Sequence, residues 1–238
     1  KQVPWETYMD AEGTLAVDAT VFSKYFTHSQ YVALKTKDAI VDRFRESTGV
    51  RPSVDLDRPD LRINIHIDRN ICTLSLDSSG ASLHKRGYRV ETALAPISEV
   101  LAAGLIMLSG FHGQSDFMDP MCGSGTILIE AAMIAANIPA NINRDVFGFE
   151  TWRDFDVDLY ETIEEALIKR IREVPVKIIG MDKDARTLDK AKTNIKEANL
   201  SEFIQVQQGD FFGSEKPSDG YWHLVFNPPY DERLTLDD

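Results

Sequence analysis

Beyond residue 96 the sequence falls into short apolar runs that alternate with helix-length stretches, and this alternation restricts the fold more than any other feature. The runs Asp116–Asp119, Val176–Met181, Phe203–Gln207 and Trp222–Phe226 are four to six residues long, the length of strands. Around them, Pro96–Leu108, Gly125–Ala136, Val157–Arg172 and Ala185–Ala198 place apolar residues at helical spacing. Strands joined through helices pair in parallel, because only a crossover brings the chain back in the same direction. The expected fold class is therefore α/β with a parallel sheet. Ligands of such sheets bind beyond the carboxyl ends of the strands.

The first third follows a different pattern. Thr14–Ser23 alternates like a strand, and Ser29–Phe44 reads as an amphipathic helix with Ser29 as its cap and Gly49 and Pro52 closing it. Two further alternating runs, Leu61–Ile67 and Ile71–Leu76, form a hairpin about Asp68-Arg69-Asn70. These elements make a small α+β unit, residues 1–89, ahead of a sheet domain, residues 90–238, with the junction at His84–Arg89. Neither an internal repeat nor a low-complexity segment is present, and 43% hydrophobic residues suffice for buried cores.

The apolar stretches are far shorter than the roughly 20 residues of a membrane span. The chain opens on Lys1 without a secretory signal, which predicts a cytoplasmic piece of a longer protein with no membrane partner. Two cysteines in unlike contexts, Cys72 and Cys122, offer neither a disulfide framework nor a zinc spacing, so no metal is expected. A net charge of −12 excludes a protein that coats nucleic acid with its whole surface. From Thr20 to Val90, however, 12 Lys or Arg stand against 8 Asp or Glu, which is either a solvated charged face or the place of any contact with a polyanion.

Four features fall where the sheet expects its site. The turn Asp119-Pro120-Met121-Cys122-Gly123-Ser124-Gly125-Thr126 joins a strand to a helix, and its glycines let a ligand approach the backbone and the free N–H groups of the helix start. It lacks the full G-x-G-x-x-G of a dinucleotide site and the Lys of a phosphate loop, which disfavours NAD and ATP. Asp182 ends the next strand, where a carboxylate can accept both hydroxyls of a ribose; alone, it can equally cap the helix from Ala185. Asp210-Phe211 follows the third strand, a carboxylate for an adenine amino group beside a ring to pack on it, or merely a loop turn.

Asn227-Pro228-Pro229-Tyr230 follows the fourth strand. The Asn227 side-chain oxygen and the Pro228 carbonyl can accept both hydrogens of an NH₂ group. Such a group on a base or an amide has a delocalised lone pair and attacks poorly until acceptors favour a more tetrahedral nitrogen. Pro229 stiffens the loop, and Tyr230 can stack on a planar substrate and fix its approach.

In this order the motifs resemble the class I S-adenosylmethionine-dependent methyltransferases that modify amino nitrogens. The junction Leu83–Arg89, the segment at Pro96-Ile97 and the helix from Ser29 to Asp42 are similar to the THUMP-domain methyltransferases of bacterial 23S rRNA that make N2-methylguanine. The resemblance covers nearly the whole chain and implies a Rossmann-like methyltransferase sheet preceded by a THUMP domain that presents RNA. It implies that Asp119, Pro120, Cys122, Gly123, Ser124 and Gly125 surround the methionine part of S-adenosylmethionine. Asp182 then holds the ribose, Asp210 and Phe211 the adenine, and Pro96 and Ile97 line the same pocket. Asn227 and Pro228 position the amino group, and Lys85, Arg86 and Arg89 contact the RNA backbone. The family's sheet continues for three strands past the Asn227 loop, and its THUMP domain begins upstream of the residue matching Lys1. Adenine-N6 methylation of DNA and a non-catalytic RNA-binding assembly factor are the alternatives. Cytosine-C5 chemistry is disfavoured because the Asn227 loop has no Cys.

Overall fold

A computed structural model describes residues 2–92 and 96–228. They divide into two compact units, residues 1–82 with 145–159 and residues 83–144 with 160–238. Where the change of pattern suggests a single cut near residue 90, the chain instead returns to the first unit at 145–159 before completing the second.

The first unit contains β1 (Thr14–Phe22), α1 (Ser29–Thr48), β2 (Ser53–Val54), β3 (Leu61–Asp68) and β4 (Ile71–Leu76), with sheet order β2-β1-β3-β4. β1 pairs in parallel with β2 and β3, and β3 and β4 form the expected antiparallel hairpin. Alternate β3 residues Leu61, Ile63, Ile65 and Ile67 are buried with Trp5, Met9, Leu15 and the α1 residues Ile40, Val41 and Phe44. α1 starts at the expected cap itself: His28 is the N-cap and makes no side-chain capping bond, so Ser29 is already helical. Gly49 ends α1 in the left-handed conformation, φ 77°.

The second unit carries α2 (Glu99–Leu108), β5 (Asp116–Asp119), α3 (Thr126–Ala136), β6 (Ile178–Asp182), α5 (Ala185–Glu197), β7 (Ile204–Gln208) and β8 (Trp222–Leu224), while α4 (Val157–Ile168) leads into it. The sheet order is β7-β6-β5-β8 and every pairing is parallel. The chain winds outward from β5 to β7 and then returns to the other side of β5, which puts a change of direction between β5 and β8. A ligand crevice forms beyond the strand ends at such a point.

α3 is apolar but for Thr126 and Glu130, and ten of its eleven residues are buried, as expected of a helix enclosed on all faces. α2 begins at Glu99 rather than Pro96, because Ser98 Oγ accepts from Leu101 N and caps it there. No helix among the described residues is long and apolar enough to cross a membrane.

Candidate functional site

All four sequence features lie at the carboxyl ends of adjacent strands, and backbone or side-chain contacts join them. The turn after β5 meets β6 through Gly123 N, which donates to Asp182 Oδ2 at 3.0 Å. β6 meets β7 through Gly209 N, which donates to the Asp182 carbonyl at 3.0 Å. The third and fourth features meet through rings, with Phe211 and Phe226 centroids 6.0 Å apart. Beyond the end of β8, Val225 N donates to the Met118 carbonyl at 3.2 Å, which fixes the start of the Asn227 loop beside the Asp119 turn.

Asp119 and Pro120 are buried, and Asp119 Oδ1 accepts from Met121 N at 3.1 Å. Burial, followed by the nearby charge of Asp182, pushes the Asp119 carboxyl up to about 8 against that one favourable hydrogen bond. Gly125 sits at φ 85°, and a Cβ there would stand 3.3 Å from Ala191 Cβ on α5, so both conformation and packing select glycine. Cys122 contributes its backbone, with N donating to Met181 O at 2.8 Å. Its thiol belongs to the core beneath the turn, next to Gly180, and burial pushes its pKa up.

The two readings of Asp182 separate. Asp184 caps α5 by accepting from Arg186 N, and Asp182 is left to accept from Gly123 N and Asp184 N at the crevice. Asp210 performs the turn role as well, since its Oδ1 accepts from Phe212 N at 3.1 Å, but it remains exposed, with Oδ2 3.8 Å from Lys183 Nζ. Asn227 and Pro228 are half-buried; Pro229 and Tyr230 lie outside the described residues.

Two of the residues expected to contact RNA face inward instead. Arg86 is buried, with Nε 3.4 Å from Glu130 Oε1, and Tyr88 OH donates to the same oxygen at 2.8 Å. Burial pushes the Glu130 carboxyl up, and Tyr88 and Arg86 oppose that shift. Arg89 reaches Glu99 Oε1 at 3.1 Å and donates to the Ile97 carbonyl and to Thr126 Oγ1. A guanidinium engaged in this way is not free for a phosphate, so Lys85 alone of the three is exposed. Through Arg89, the segment at Ile97 is tied to the first residue of α3; Pro96 beside it is exposed.

Asn194 on α5 is a site residue that the motifs do not reveal. It is buried, and its Oδ1 accepts from Val90 N and Glu91 N while Nδ2 donates to the Glu91 and Ser124 carbonyls, all at 2.9–3.1 Å. One amide thus clamps the irregular junction segment at Val90 and Glu91 to the glycine turn. Its signal in the sequence is a polar residue set in the apolar stripe Leu188, Ala191 and Ile195.

The turn 119–126 holds no Lys or Arg, and carboxylates stand at the ends of β5, β6 and after β7. Such a row suits a ligand that offers a cationic group, which favours loss of the Asp119 proton that burial otherwise retains to about pH 8, followed by hydroxyl hydrogens and an amino group. Among the described residues no group of His, Cys, Asp and Glu is placed to hold a metal ion.

Comparisons with known proteins agree with this geometry. The chain matches the RMKL-like methyltransferase domain family over residues 86–237 and the THUMP domain over residues 1–77. The ribosomal RNA large subunit methyltransferase K/L of Syntrophotalea carbinolica is 43% identical across 98% of this chain and 34% of its own length. The protein of that name from Pseudomonas aeruginosa is 41% identical across 98% of this chain and 33% of its own. The chain thus spans about a third of the length of these curated relatives. SMU.472, described as a methyltransferase and solved in complex with SAH, superposes with a TM-score of 0.88 at 32% identity, over all of this chain and 62% of its own. A Listeria monocytogenes protein described as a predicted N6-adenine-specific DNA methylase gives 0.85 at 35%, over 97% of this chain and 60% of its own.

Proposed function

The chain belongs to the RMKL-like methyltransferase domain family and carries a THUMP domain ahead of that domain, and from this premise we propose that it transfers a methyl group from S-adenosylmethionine to an exocyclic amino group of RNA, N2 of a guanine in 23S rRNA. The carrying observation is the row of four loops on four adjacent strand ends, with Asn227 beside the Asp119 turn. The names of the K/L relatives support ribosomal RNA as the substrate, and hence the cytoplasm as the place of reaction.

The residues fit the cofactor on chemical grounds. Asp119, at the inner end of the row, suits the methionine ammonium; Asp182 suits the ribose diol; Asp210, with the Phe211 ring, suits the adenine amino group. When bound, S-adenosylmethionine supplies a sulfonium methyl that an amine can attack. Asn227 and the Pro228 carbonyl accept the hydrogens of the target NH₂ and favour the tetrahedral nitrogen whose lone pair is available. Tyr230 is assigned the role of stacking on the target base.

Incubation of the full-length protein with methyl-labelled cofactor and separate pools of rRNA, DNA and protein, followed by nucleoside analysis, tests the reading. Label in N2-methylguanine from 23S rRNA is the expected result. Label in DNA as N6-methyladenine, which the Asn227 loop equally admits, would replace the substrate. Failure to bind the cofactor at all would leave a non-catalytic RNA-binding factor.

A further inference from the structure

Residues 19–37 contain no Asp or Glu, although the whole chain has 38 among its 238 residues, and they include Lys24, Lys35 and Lys37. The same stretch sets aromatic rings in solvent: Phe22 is 63% exposed, Tyr25 80%, Phe26 48% and Tyr31 61%. Single exposed rings need no explanation, but four within ten residues, two of which, Phe22 and Tyr25, line one hollow, are of the kind that marks a binding surface.

The backbone gathers this patch with the hairpin turn. Arg69 N donates to the Phe22 carbonyl at 2.7 Å, which holds the β3–β4 turn against the end of β1. The Phe22 ring lies 5.8 Å from that of His66, and Lys35 Nζ stands 5.8 Å from the centroid of Tyr31. Between the two turns is an open hollow of about 540 Å³ lined by Phe22, Ser23, Lys24, Tyr25, Arg69 and Asn70. Two exposed rings and two cations thus share one concavity in a chain whose net charge is −12.

Rings alone would suit an apolar partner, and cations alone any polyanion. Together they match a ligand that presents flat faces and negative charge at a spacing of a few ångströms, as unpaired nucleotides do. A duplex keeps its base faces stacked within and offers phosphates, 2′-hydroxyls and base edges but no open face to a ring. We propose that the β1–α1 turn, with the β3–β4 turn beside it, binds an unpaired stretch of RNA, bases stacking on Phe22 and Tyr25 and phosphates meeting Lys24 and Arg69. The inference rests on the RNA reading above, and it gives the first unit a contact surface that the inward-facing Arg86 and Arg89 do not provide.

The test uses the full chain and fluorescence anisotropy with an unstructured RNA of about 12 nucleotides and with the same sequence as a duplex. Tyr25→Ala should weaken binding of the single strand on the order of tenfold, while Tyr25→Phe, which keeps the ring, should stay within about twofold of the unmodified protein. Lys24→Glu should weaken binding and flatten its salt dependence. Cofactor affinity, followed by calorimetry, should be unchanged in all three. The proposal is overturned if Tyr25→Ala binds the single strand normally, or if the unmodified protein prefers the duplex. When the unmodified protein still methylates RNA in those cases, only this surface falls and the proposed activity stands. Binding and labelling of DNA alone would remove both. Loss of self-association in Tyr25→Ala by sedimentation, with RNA affinity intact, would assign the patch to a contact between copies and overturn the proposal.

Discussion

Asp182 ends β6 and Asn227 follows β8, on either side of β5, and their chemistry separates them further. Asp182 accepts from Gly123 N and Asp184 N, and on its proposed ribose role Asp182→Ala should weaken S-adenosylmethionine binding measured by calorimetry. Asn227 follows β8, and on its proposed role at the target amino group Asn227→Ala should abolish methyl transfer with cofactor affinity retained; unchanged turnover would remove that role. Asp119 makes a third, pH-dependent case. Its carboxyl titrates at about 8 when folded against an ordinary value of 3.8, so between those values the folded state binds a proton that the unfolded state has released. Stability from this group is complete below the lower value, falls by about 1.4 kcal/mol per pH unit across the window, and levels off above pH 8. Asp119→Asn lacks that titration. Urea midpoints at pH 5 and pH 8 should therefore fall more for the unmodified protein than for the variant, and parallel curves would show that the carboxyl is not perturbed.

At the level of elements, α5 does more than cover the sheet. Asn194 lies on its buried face and satisfies four backbone groups, two from the junction at Val90 and Glu91 and the others at Glu91 and Ser124. Asn194→Ala leaves them without partners, and the loss should be on the order of 3 kcal/mol in urea unfolding, accompanied by weaker cofactor binding because Ser124 belongs to the glycine turn. A change within experimental error would mean that water replaces the amide. The same helix shows what the sequence discloses. Strand and helix order is legible because periodicity is local, and the carboxylates and Asn227 are legible because they directly follow apolar runs. β2 is not, since two residues, Ser53 and Val54, carry no period. The start of α2 is misplaced because Pro96 is permissible in a first turn, whereas the cap that forms is Ser98. Arg86 and Arg89 read as surface cations because their partners, Glu130 and Glu99, are distant in sequence and only folding brings them near.

For the molecule as a whole, the path of the chain matters more than its composition. Residues 145–159 belong to the first unit although they are separated from its other residues by the glycine turn and α3. Their contacts there are numerous: Trp152 meets Tyr8 edge-on at 6.2 Å, Arg153 N donates to the Tyr8 carbonyl, Phe149 N to the Ser78 carbonyl, and Thr151 Oγ1 to the Asp60 carbonyl at 2.7 Å. Gly148 approaches so closely that a Cβ would stand 2.8 Å from the Asp77 carbonyl oxygen. A fragment of residues 1–82 keeps the sheet and α1 but loses this cover, which exposes the side of the core where Trp152 packs. Partial burial of one such indole accounts for about 1–2 kcal/mol, a sizeable part of the stability of a domain this small. The fragment should therefore unfold at markedly lower urea than the first unit of the whole chain, and a peptide of residues 145–159 added in trans should shift its midpoint upward in a concentration-dependent way. A peptide carrying Trp152→Ala should fail to do so. Equal stability of the fragment with and without the peptide would mean that the returning segment is carried by the first unit without supporting it.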